Sequence, residues 1–96
     1  MNTDTQKQNY SKWIIEQGRK PKKFISILGN LTNDLKKIGV LKHDQDLFLI
    51  TDPSRLTDLL IAYLEHEPYK AKNDRGNNYY SAPFKKYIQY RLTNKN

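Results

Sequence analysis

Residues 73–92 read NDRGNNYYSAPFKKYIQYRL, and the way this stretch divides decides the fold. Its first six residues are a polar loop of Asn, Asp and Gly, types that tolerate positive φ and hydrogen-bond their own backbone. From Tyr80 or Ser81 the pattern turns helical. Phe84, Tyr87, Ile88 and Leu92 recur at steps of three and four on one side, with Lys85, Lys86 and Gln89 opposite. Pro83 is tolerated only in a first turn, where no intrahelical bond is lost, so Ser81 is the natural N-cap. One segment thus supplies a core wall together with a surface rich in cations, amides and tyrosines.

Three more helices are read upstream. The clearest runs from Pro21 to Ile38, where Phe24, Leu28, Leu31, Leu35 and Ile38 alternate steps of four and three. Gly39 stops it, and Gly29 in its interior marks a close helix crossing. Before it, Thr5 to Gln17 sets Tyr10, Trp13 and Ile14 on a core stripe that ends at Gly18. Asp52-Pro53 begins a third helix, whose face is Leu56, Leu59, Leu60, Tyr63 and Leu64, and Pro68 forbids its continuation. Val40 to Thr51 is a connection whose Leu47-Phe48-Leu49-Ile50 run plugs the bundle end, either extended or as one helical turn. Tyr69 to Asn78 is read as loop. The expected fold is all-α, a compact bundle of about four helices.

Ninety-six residues make one domain, complete in itself or the N-terminal part of a longer protein. An 11% aromatic share with seven Tyr argues against disorder. With no cysteine, disulfides and thiolate zinc sites are excluded and a cytoplasmic setting fits. No apolar run reaches a membrane span, and the polar N-terminus does not resemble a secretory signal, so a membrane partner is not expected. His43 near Asp44 and Asp46 lacks a second histidine and makes a poor metal site. His66 between two glutamates has no nucleophile beside it. Neither a Ser-His-Asp set, nor HExxH, nor a phosphate-binding Gly loop occurs, so the expectation is a non-enzyme without metal or cofactor.

Charge points elsewhere. The net charge is +7 and the pI about 9.6. Residues 1–33 carry six basic and two acidic groups, residues 34–67 four and seven, residues 68–96 seven and one. If the first and last helices lie together, the molecule has one positive face, the footprint of a polyanion binder. Arg19-Lys20-Pro21-Lys22-Lys23 opens a helix with cations, which oppose its macrodipole, and a bound anion would relieve that cost. The expected DNA-contacting residues are Arg19, Lys20, Lys22, Lys23, Lys70, Lys72, Arg75, Asn77, Asn78, Tyr79, Tyr80, Lys85 and Lys86. Arg91 is counted among the phosphate-neutralising cations and Ser81 among the hydrogen-bonding groups.

The NNYYSAPFKKYIQYR run after a Gly-Asn loop resembles the N-Y-x-S-A-L-K-K-Y-I-x-F segment near the N-terminus of many bacterial restriction endonucleases and HNH-type proteins, with Pro83 where that pattern has Leu. The layout is similar to the SAM-like core-binding domain of tyrosine recombinases: a Trp-containing first helix, a long second helix, the LFLITDPSRLTDLL hinge and helix, then Pro68-Tyr69. The resemblance implies a SAM-like fold, duplex DNA as partner, and accessory service to a nuclease or recombinase. Because neither an HNH motif nor the recombinase Arg-His-Arg-Tyr set occurs here, that chemistry would lie in another domain or chain. The rival class is a protein-interaction module whose basic face docks an acidic partner or blocks a host factor.

Overall fold

The computed structural model describes residues 3–93, and its helices begin and end where the sequence changes its backbone chemistry. Helix α1 is Thr3–Glu16, α2 Pro21–Lys37, α3 Pro53–Glu65, α4 Glu67–Arg75 and α5 Ser81–Thr93. A single 3₁₀ turn, Leu47–Leu49, lies between α2 and α3. The class is all-α, with five α-helices among the described residues where the sequence reads as about four.

Both glycine stops behave as expected. Gly18 and Gly39 sit at φ +77° and +82°, and each closes a pair of bonds back onto the preceding helix. After α1, Gly18 N–H donates to Ile15 O and Arg19 N–H to Ile14 O; after α2, Gly39 donates to Lys36 O and Val40 to Leu35 O. This double bond pattern, six-to-one and five-to-two, satisfies the last helical carbonyls. At the other end of the connection, the Asp52 carboxylate accepts from Ser54 N–H at 3.0 Å, and Pro53 opens α3 as read from the sequence.

The core is one cluster. Tyr10 and Ile14 of α1, Leu28, Leu31 and Leu35 of α2, Leu56 and Tyr63 of α3, and Phe84 and Tyr87 of α5 are fully buried. Leu47 and Phe48 enter it from the 3₁₀ turn, plugging the bundle end. Trp13 is only half-buried, at the margin of this core. The radius of gyration, 12.7 Å, matches the roughly 12.5 Å of a well-packed domain of this length. Among the described residues no helix is long and apolar enough to cross a membrane.

Gly29 does not mark a close crossing. A Cβ built there meets nothing within 4 Å. Its cost is therefore purely conformational, and Gly29→Ala is expected to raise stability by about 0.5–1 kcal/mol. A urea midpoint that falls in this variant would contradict the open space around the residue.

Pro68 also acts differently from its reading as a stop. It ends α3 but also starts α4, since only His66, at φ −84° and ψ 110°, separates the two helices. A proline in the first turn has its φ pre-set for the helix and gives up no bond. Glu67 in the first turn and Lys72 and Arg75 in the last complement the dipole. Residues 69–75, expected as loop, are thus helical. With only Tyr69 and Ala71 as apolar members, EPYKAKNDR has no stripe for periodicity to find.

Helix α5 is turned relative to expectation. Phe84 and Tyr87 are buried and Ile88 half-buried, but Leu92 is 52% exposed, whereas Tyr90 and Arg91 are almost wholly covered. The helix packs against α3, α2 and α1, so its buried face is wider than one stripe. Arg91, counted from sequence as a phosphate contact, is structural. Its Nε donates to Tyr87 Oη at 3.0 Å, and its Nη2 donates to Phe48 O and Gln6 Oε1, both at 2.9 Å. The guanidinium carbon lies 5.2 Å from each of the Tyr87 and Tyr90 ring centroids. The Tyr87 hydroxyl, directed at Leu47 O (2.8 Å), ties the same helix to the 3₁₀ turn. Burial, outweighing the nearby guanidinium, pushes its pKa up to about 12, so it remains a neutral donor at ordinary pH.

Candidate nucleic-acid interface

Two backbone corners build the site. At the first, the left-handed turn at Gly18 reverses the chain after α1, leaving Arg19, Lys20, Lys22 and Lys23 exposed around the start of α2. No side chain caps this helix; its N-cap is Lys20. The second corner joins α4 to α5. Asn77 and Asn78 hold φ +54° and +67°, the left-handed conformation that asparagine tolerates better than other side chains. Asn73, in the last turns of α4, fixes the turn from inside: its Oδ1 accepts from Tyr80 N–H (3.2 Å) and Ser81 N–H (2.9 Å), and its Nδ2 donates to Ser81 Oγ. The cap of α5 therefore comes from eight residues upstream. Ser81, expected as the N-cap and as a ligand-facing hydroxyl, is instead buried as Asn73's partner.

The backbone of this turn is already satisfied. The N–H groups of Gly76, Asn77, Asn78, Tyr79 and Ala82 all donate to backbone carbonyls. An anion here meets side chains. Gly76 sits in a tight place, since a Cβ on it would lie 3.0 Å from Tyr79 Cβ and 3.4 Å from Lys72 O, and Tyr79 would have to give by a few tenths of an ångström to admit one.

Between the two corners lies a groove of about 340 Å³. Arg19, Lys23 and Phe24 line it from the α1–α2 corner, and Gly76, Asn77, Asn78 and Tyr79 from the α4–α5 turn. Ala82, Pro83 and Lys86 complete it from α5. Three cations from separate segments thus meet in one concavity whose lining includes no acidic residue. Two of them are held by aromatic faces: Lys23 Nζ is 4.8 Å from the Tyr79 ring centroid, and Lys86 Nζ is 5.3 Å from that of Trp13. Such contacts orient an ammonium without neutralising it.

The other expected residues divide. Lys20, Lys22 and Lys85 are exposed but do not line the groove. Lys86 is half-buried against Trp13, not fully in solvent as its helical position implied. Lys70 and Arg75 are exposed on α4, outside the groove lining. Lys72 is engaged within the fold: it pairs with Asp34 at 3.4 Å and covers the Tyr80 ring at 4.3 Å. Tyr80 is correspondingly half-buried and does not reach the groove. Phe24 and Pro83 were assigned to core and helix start, and nothing in their spacing signals a shared wall. Among the described residues no group of three or more metal-ligating side chains comes together.

The fold and the groove define a small, basic, all-α domain that carries a cationic concavity. No family model, curated protein or solved structure matches the chain.

Proposed function

We propose that this protein is a non-catalytic DNA-binding domain that grips the phosphate backbone through the face centred on the Arg19–Lys23–Lys86 groove. The observation that carries this reading is the meeting of three cations from the α1–α2 turn, α2 and α5 in one acid-free groove. Lys20, Lys22 and Lys85, exposed and adjacent to them in sequence, add further positive charge to the same helix ends. A phosphodiester chain supplies the repeated negative charge that such a face would neutralise. Catalysis, in this reading, belongs to a nuclease or recombinase elsewhere, which this domain serves by holding DNA.

A salt titration tests it. If about five phosphates are neutralised on duplex DNA, log K against log salt has a slope near −4 to −5. A nearly flat slope rejects backbone recognition. No mobility shift with duplex or single-stranded DNA at low salt points instead to an acidic protein partner.

A further inference from the structure

The groove is larger, and more apolar in places, than a phosphate requires. We infer that it holds one unpaired nucleotide of a DNA strand, so that the domain prefers single-stranded DNA over uninterrupted duplex. This rests on the DNA-binding reading above and adds the form of DNA that is bound.

Size is the first argument. At about 340 Å³ the groove lies at the small end of ligand-sized pockets, several times a phosphate and far short of a duplex. Its walls are the second. Duplex DNA presents phosphates and sugars on its ridges and turns the base faces inward, where Phe24, Pro83 and Tyr79 would find no aromatic partner. An unpaired nucleotide brings its base with its phosphate.

Tyr79 is the third. It is 43% exposed, and the Tyr80 ring meets it edge-on at 5.1 Å and 82°. Lys23 lies over the Tyr79 ring. A phosphate drawn to Lys23 therefore delivers its own sugar and base to the tyrosine, and base–aromatic stacking is tolerant of sequence. The exposed amides of Asn77 and Asn78 stand at the same wall, able to donate to or accept from a base edge.

Fluorescence anisotropy with three labelled oligonucleotides of equal length tests the inference: a single strand, a blunt duplex of that sequence, and an abasic strand carrying the same phosphates. The single strand is expected to bind about tenfold tighter than the abasic strand, the effect of stacking one base, and tighter than the duplex. Tyr79→Ala is expected to bring the single-strand to abasic ratio down to about one, and Tyr79→Phe to retain the tenfold ratio. Equal binding of all three oligonucleotides by the unmodified protein overturns the inference and leaves backbone recognition standing. A ratio that survives Tyr79→Ala in a chain of unchanged helicity also overturns it. Absence of binding to any of the three at low salt overturns both readings.

Discussion

Replacing Arg91 with methionine is expected to remove about 3–5 kcal/mol of stability, because three hydrogen bonds to a buried charge are lost together. A domain of this length is stable by about 5–14 kcal/mol in total, so the variant sits near the limit of folding. Methionine replaces much of the aliphatic stem, which isolates the guanidinium's contribution from simple loss of volume. What remains is Phe48 O without its donor, Gln6 without its partner, and two tyrosine rings without the cation beside them. Urea unfolding followed by Trp13 fluorescence gives the measurement, since the Trp13 ring packs tilted against Tyr90 with centroids 5.4 Å apart. A loss below about 1 kcal/mol, the worth of an ordinary hydrogen bond, would show that Arg91 is a bystander.

The second large effect concerns binding. Reversing both groove lysines, Lys23→Glu together with Lys86→Glu, is expected to weaken DNA binding by roughly a hundredfold or more. Each charge-assisted contact is worth about 1.5–3 kcal/mol, and 1.4 kcal/mol is tenfold in affinity. Losing two phosphate contacts also flattens the duplex salt slope by nearly two units. Lys23 is exposed and Lys86 half-buried, so far-UV circular dichroism should be unchanged. Lys37→Glu together with Lys42→Glu serves as the comparison, because both lysines are exposed, lie outside the groove lining and change the net charge by the same amount. If that variant weakens binding as much as the double reversal, net charge and not the groove is responsible.

The sequence made most of the fold legible and part of the site. Helices with a strong apolar stripe or an unambiguous start, α2 and α3 above all, are found where periodicity, Asp52-Pro53 and the two stop glycines put them. Helix α4 was illegible because it has no apolar face and because Pro68 reads equally as an end and as a beginning. The groove's cations are legible in the sequence, yet their meeting is a tertiary fact. Lys23 and Lys86 are far apart in sequence, and nothing local distinguishes them from Lys22 and Lys85, which do not line the groove. Arg91 and Asn73 illustrate the opposite difficulty. A charged or amide side chain reads as surface by default, and only the surrounding carbonyls and N–H groups reveal it as interior.

The stitch made by Arg91 also bears on when the chain can fold during its synthesis. It joins α1, through Gln6, to the 3₁₀ turn, through Phe48, using a side chain from the final turn of α5. The first helix thus waits, in order of emergence from the ribosome, for a partner 85 positions behind it. Until α5 has left the exit tunnel, Tyr10 and Phe48 lack the Tyr87 ring that packs edge-on against both, so part of the core stays open in the nascent chain.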